Sequence, residues 1–236
     1  MYVYYVDNIN GSNTNDGFSP DKPIKDYKTI TLQPGDTIKF KRGTFYREQL
    51  KTVPGTYDLP ITFTSYGEGD KPVFCASFDV SKPDDWQDMG NNIWKCLAYV
   101  KGDVGNFVFN EDECTASLCW EKGDLSSQGD FWDNAYNDYK ALNDENRDIL
   151  LYSQKNPALY YNHIECVAYN ERIIANHNDN IIIDGLHFRN SGVHAIAGRG
   201  RNVTVRNCEF MNIGGCVWSK ELKIRFGNGV EFWTYG

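Results

Sequence analysis

The sequence predicts an all-β chain in which short strands coil into stacked parallel rungs, interrupted by a β-rich insertion. Three observations predict it. First, Ile183–Asn190 (IDGLHFRN) aligns with Val205–Asn212 (VRNCEFMN) at an offset of 22 residues, inside the stretch Asn180–Gly215. Each copy holds a β-branched alternating run, a turn residue, an apolar-x-Phe pair and a closing Asn. A repeat too short for a βαβ unit, built from alternating β-formers, signals a coil whose rungs bury their inward side chains only by stacking on neighbours. Second, Leu32–Phe45 and Pro60–Gly67 are alternating runs bounded by Pro and Gly, with Ile38, Phe40, Ile61 and Phe63 on one face. Third, residues 84–170 carry no 22-residue echo and are rich in Trp, Asp and Asn, a composition too aromatic for a linker. The expected organisation is therefore 1–83 (cap and first rungs), 84–170 (insertion) and 171–236 (further rungs).

In chain order, residues 2–6 alternate as a short strand and 7–17 form a turn-rich loop. That loop loosely resembles a calcium loop, but Ile9 breaks the Asp/Asn alternation and Phe18 stands where an EF-hand needs Glu. It reads as turns. Within the insertion, Asn92–Cys96, Asn106–Phe109 and Ile149–Ser153 look like strands, and Tyr136–Arg147 is the one stretch that suggests a short helix. Gly227–Gly236 begins another alternating strand. A coil cut there exposes strand edges, so the expectation is an N-terminal part of a longer coil, with a partner cap or an unusual last rung as the competing account.

With 236 residues, 41% hydrophobic and 14% aromatic, the chain can bury a sizeable core. A formal net charge of −8 and the lack of any Lys/Arg run argue against nucleic-acid binding. No apolar stretch approaches the roughly 18 residues of a membrane span. The opening Met1–Val6 lacks a basic n-region and a long apolar core, so an exported form would already have lost its leader. Seven cysteines without a CxxC pair fit free buried thiols better than zinc or a disulfide framework, and Cys208 takes the inward repeat position of Leu186.

The set YYVDNINGS, SPDKPIKDYKTI, LQPGDTIKFKRGTFY, PITFTSYGEGDKPVF and NIIIDGLHFRN resembles the opening of right-handed parallel β-helix proteins of the pectate-lyase-like group, which comprises polysaccharide lyases and glycoside hydrolases. The match covers residues 2–80 and 173–236. PGDTI followed by PIT is similar to the chondroitinase B/alginate lyase branch. The resemblance implies a right-handed parallel β-helix, a polysaccharide or oligosaccharide bound along outward side chains, and a secreted or cell-surface location. It also cuts against particular activities. Val203–Asn207 lacks the Asp-His of pectate lyases, Asp84-Asp85 lies outside the repeats, and no Gly-His-Gly of polygalacturonases occurs. The Lys/Arg pair of the alginate-lyase branch would fall in rungs after Gly236.

Candidate residues follow from strand alternation. Thr204, Arg206 and Glu209 point outward in one copy, and Ile182, Asp184 and His187 in the other. Stacking places Asp184 beside Arg206 and His187 beside Glu209, about 4.8 Å apart. These pairs are either a binding surface with acid/base character or ion pairs that keep the sheet soluble. His194 is a core histidine if it faces the same way as an inward Ile196, and a candidate base if the chain bends at Gly192. Asn228 and Glu231, flanked by glycines and alternating with inward Val230 and Phe232, suit Ca2+ coordination or a sugar-hydroxyl contact, and Trp233 would be a stacking platform. Glu209 and Glu231 are candidates for one partner of a two-carboxylate hydrolase. The functional expectation is a polysaccharide lyase or glycoside hydrolase with Glu231, Glu209 and His194 catalytic and Asp184, His187, Arg206, Asn228 and Trp233 binding. The competing readings are a non-catalytic carbohydrate-binding or adhesive module and a structural spacer.

Overall fold

A computed structural model describes residues 1–98, 100, 102–135, 147–169 and 173–233. The helical stretch expected at Tyr136–Arg147 lies outside them except for Arg147. The described chain is all-β, with one four-residue α-helix at Pro157–Tyr160 and three 3-10 turns. Three of its six sheets are wholly parallel. Sheet I orders Val3–Val6, Thr37–Lys41, Ile61–Tyr66, Ile181–Asp184 and Val203–Arg206. Sheet II orders Phe45–Tyr46, Val73–Cys75, His187–Ser191 and Glu209–Ile213, and sheet III orders Ile174–Asn176, Ile196–Gly198 and Val230–Phe232.

The 22-residue repeat is expressed directly as strand register. Ile181 pairs with Val203 and Asp184 with Arg206 in sheet I, while His187 pairs with Glu209 and Phe188 with Phe210 in sheet II. Asparagines close the rungs. Asn180, Asn190, Asn202 and Asn212 all adopt left-handed φ between 52° and 59°, a conformation Asn tolerates better than branched residues. Their side chains form ladders across rungs: Asn202 Nδ2 donates to Asn180 Oδ1 at 3.0 Å and Asn212 Nδ2 to Asn190 Oδ1 at 3.1 Å. Replacing Asn202 with Ala is expected to cost about 1–2 kcal/mol, from left-handed strain plus the lost bond, and Asn202→Gly less, because glycine keeps the backbone freedom. Chemical denaturation of both variants checks this; a glycine variant as unstable as the alanine one would assign the ladder, not the backbone, as the cause.

Between the parallel sheets, fully buried Phe40, Phe63, Phe74 and Phe188 pack in one core with Ile38, Ile61, Ile181 and Ile183. Phe40 meets Phe74 edge-on at 5.1 Å, and Tyr46 stacks on Phe74 at 4.8 Å, geometries that add to simple burial. At Val203–Phe232 the core is less covered. Phe210 stacks on Phe188, yet Val230 and Phe232, expected inward, are 41% and 36% exposed, because no other strand of the described residues packs over them.

Residues 78–168 build a second core around Trp86, Phe107, Phe109, Phe131, Leu151 and Ile164. One of its sheets is antiparallel (Cys114–Thr115, Val104–Phe109, Ile164–Ala168, Phe78–Asp79). The other is mixed: Ser117–Leu118 runs parallel to Asp130–Asp133, and Ile149–Tyr152, Ile93–Cys96 and Trp86–Asp88 follow antiparallel. Wholly parallel pairing thus belongs to sheets I–III, and the sheets of the second core are antiparallel or mixed. No helix among the described residues is long and apolar enough to cross a membrane.

Candidate functional site

The outward pairs of sheets I and II form as the register dictates. Arg206 Nη2 lies 3.0 Å from Asp184 Oδ2, and His187 Nδ1 lies 3.7 Å from Glu209 Oε2. Glu209 is drawn mainly to Lys71, 2.5 Å away, a bond that holds its carboxyl below the ordinary range. Burial, followed by Arg189, pushes the His187 imidazole down. Arg206 and Glu209 are more than half exposed and line none of the larger cavities found among the described residues. Glu209 lies on sheet II and Glu231 on sheet III.

His194, Asn228, Glu231 and Trp233 do come together. They line a cleft of about 850 Å³ with Tyr169, Val193, Trp218, Arg225, Phe226 and Gly227. Parallel pairing in sheet III places them: the Asn228 carbonyl accepts from Ala195 N at 3.1 Å, and Trp233 N donates to Gly198 O at 2.9 Å. Gly227 permits the approach at φ +133°, since a Cβ there would stand 2.3 Å from the Val193 carbonyl oxygen. Ile196 is fully buried, as the core reading of His194 requires. His194 is itself only 6% exposed, yet its ring forms a cleft wall, so the two readings of this residue meet in one place. The chain bends before the strand, where a Cβ on Gly192 would meet the Ala168 carbonyl oxygen at 2.2 Å.

Hydrogen bonds fix this group. His194 Nδ1 accepts the Asn228 backbone N–H at 3.1 Å and lies 3.3 Å from Glu231 Oε2. Asn228 Nδ2 donates to the same carboxylate oxygen at 2.5 Å. Trp233 and Phe226 meet the imidazole edge-on, both at 5.9 Å. The result is a carboxylate oriented by the Asn228 amide, beside the imidazole and walled by aromatic rings. Ca2+, which takes six to eight oxygen ligands, does not match it. Glu231 is the single carboxylate lining this cleft among the described residues, and Asn228 turns its NH2 toward it. Nor does any group of three or more His, Cys, Asp or Glu among the described residues suit a metal ion.

A second lobe of about 660 Å³ adjoins the first, sharing Tyr169, Trp218 and Phe226 and adding Asp103, Ala135, Val217, Ser219 and Glu221. Sequence reasoning missed this lobe. Its walls come from positions far apart in the chain. Cys216–Ser219 and Ile224–Phe226 pair as an antiparallel hairpin, and Asp103 Oδ2 accepts the Val217 N–H at 2.6 Å across 114 residues. Tyr169 N donates to the Asp103 carbonyl at 2.7 Å. The only local signal was Gly102-Asp103 before a strand, which marks any turn.

Asp103 is 4% exposed. Burial pushes its carboxyl up, the Val217 amide opposes this, and the neighbouring Asp133 charge adds to the rise, leaving it at about 6. A folded value above the usual one means that the stabilising protonated form is kept at low pH and lost as pH rises through about 6. Asp103→Asn, neutral at every pH, is therefore expected to gain about 2 kcal/mol over the native protein between pH 4 and pH 8, after allowing for water in the lobe. Unfolding curves at the two pH values measure it; parallel curves would refute the buried-acid assignment.

No family model matches the chain. A lacto-N-biosidase of Bifidobacterium longum subsp. longum is 32% identical over 85 residues, covering 32% of this chain and 5% of that protein. The chain thus spans a small fraction of the curated relative it matches. Among solved structures, XylC in complex with xylose aligns over 86% of this chain and 40% of its own, with a TM-score of 0.55 and 15% identity. That likeness shows a shared fold. A GH136 lacto-N-biosidase from Eubacterium ramulus aligns over 99% of this chain and 30% of its own at 18% identity, with a TM-score of 0.35, too loose to carry an argument.

Proposed function

We propose that this chain is a carbohydrate-active protein whose glycan site is the cleft around Glu231, and that the reaction is glycoside hydrolysis. The carrying observation is the grouping of an oriented carboxylate with His194 and Asn228 between aromatic walls. Aromatic faces suit the apolar faces of sugars, and a few convergent polar groups set orientation in such pockets. In this reading Glu231 takes a proton from the water that attacks the anomeric carbon, the glycosidic bond breaks, and a second carboxyl group gives its proton to the departing oxygen; Asn228 positions Glu231 and Trp233 holds the sugar. Hydrolysis uses two carboxyl groups. The first lobe presents Glu231 among the described residues, and the second presents Asp103 and Glu221. The relation to a lacto-N-biosidase and to a xylose-binding fold supports a glycan substrate.

The three parallel sheets support a right-handed parallel β-helix over 1–83 and 171–236, with 84–170 as an inserted unit that has its own core. A secreted or cell-surface protein is the setting that fits a polysaccharide substrate. The lone carboxylate of the first lobe favours, as the second reading, a binding module without turnover. Incubation with a panel of neutral and uronate-containing glycans separates the alternatives. Hydrolysis predicts new reducing ends without ultraviolet absorbance from unsaturated uronate. That absorbance would establish a lyase, and binding without any product would establish the module.

A further inference from the structure

We propose that Trp218 divides the cleft into two sugar subsites, and that the lobe behind it takes a second residue of a neutral oligosaccharide through Asp103, Ser219 and Glu221. This rests on the glycan reading of the first lobe and extends it to substrate length and charge.

Trp218 is 70% exposed, an unusual place for the largest apolar side chain. It is not loose on the surface. Its ring meets Phe226 edge-on at 5.3 Å and 72°, a T-shaped brace that leaves an indole face toward solvent. It sits on the hairpin strand Cys216–Ser219, which Asp103 anchors through Val217 N. Trp218, Tyr169 and Phe226 line both lobes, so a ligand passing from one to the other crosses the braced indole. Each lobe falls within the roughly 300–1,000 Å³ typical of small-molecule pockets.

The lobes differ in charge. Arg225 lines the first; the second holds Asp103 and Glu221, with no Lys or Arg among its described lining residues. An anionic sugar placed there would meet like charge, whereas hydroxyls donate readily to carboxylates. Ser219 Oγ accepts the Leu222 N–H at 3.2 Å, which leaves its own hydroxyl proton to donate. This chemistry selects an uncharged, hydroxyl-rich unit and rejects a uronate.

The test is calorimetric titration of the full chain with neutral xylo-, galacto- and N-acetylglucosamine-based oligosaccharides, their monosaccharides, and a matched oligouronate. The native protein is expected to bind at least one neutral oligosaccharide about tenfold more tightly than its monosaccharide, and to bind the oligouronate least. Glu221→Gln is expected to remove that advantage while monosaccharide affinity stays unchanged, and Trp218→Ala, whose ring also lines the first lobe, to remove it with a smaller loss of monosaccharide affinity. Both residues are at the surface, and circular dichroism confirms folding. If the variants weaken monosaccharide and oligosaccharide alike, or neither, the second subsite is refuted while the glycan reading survives. Preferred binding of the oligouronate refutes the charge argument. If no sugar of the panel binds the native protein, the glycan reading fails and the subsite with it.

Discussion

Glu165→Ala is expected to lower stability by about 3–4 kcal/mol, a large share of the 5–15 kcal/mol that folded domains possess. Glu165 lies on the strand Ile164–Ala168 of the second core and is almost fully buried, yet two of its partners, Arg47 and Ser77, come from outside that core. Arg47 grips it with two parallel bonds of 2.7 Å, and Ser77 Oγ donates at 2.8 Å. His163 Nε2, from the insertion, completes the set at 2.8 Å. Burial alone would push this carboxyl up, but the Arg47 and His163 bonds outweigh it and hold the group below the ordinary carboxylate range. Removing the carboxylate leaves the Arg47 guanidinium without its counter-charge at the seam between the two cores, with only the Ser77 carbonyl to accept from it. The cost stays at the lower end because Arg47 is partly solvated. A depressed folded value gives stability that is present at neutral pH and lost as pH falls through it, so the gap between native and variant should narrow in acid. Urea unfolding at pH 7 and pH 3 reads both effects; a loss below 1 kcal/mol at pH 7 would mean that the seam is held by apolar packing.

Glu231→Gln is expected to reduce glycan hydrolysis by about 10²–10⁴-fold while leaving affinity within about threefold. Glutamine keeps the length of the side chain and can still accept the Asn228 amide bond, so the site should stay assembled. What it loses is the capacity to take a proton or form a bond to carbon. A drop in affinity that matches the drop in turnover would make Glu231 a binding group only, and unchanged turnover would remove it from the chemistry.

The register of the parallel strands was legible because the 22-residue offset of the repeat fixes which residues pair. Residues 22 apart must stack, so Asp184 meets Arg206 and His187 meets Glu209 without further information. The Asn ladder follows from the same period, since each rung ends in a left-handed turn. Around Glu231 the sequence was partly informative: Gly227 and Gly229 marked a close backbone approach, and alternation put Glu231 and Trp233 on one face. Other features depend on contacts that no local pattern encodes. Asp103, Tyr169 and Trp218 meet only through contacts between distant parts of the chain, Asp103 reaching Val217 of the hairpin and the Tyr169 amide. For His194, alternation could not decide between core and solvent, because it stands at a bend ahead of the strand and serves both. Glu209 stands on sheet II, outside the residues that line the cleft.

The most direct test of the cleft is diffraction from crystals soaked in a neutral oligosaccharide that the protein binds in solution. The expected result is sugar density against Trp233 and Trp218, with a hydroxyl or ring atom within hydrogen-bonding reach of Glu231. Sugar lying instead along the outward face of sheets I and II, over Asp184, Arg206 and Glu209, would contradict the account and return the site to the flat surface of the coil.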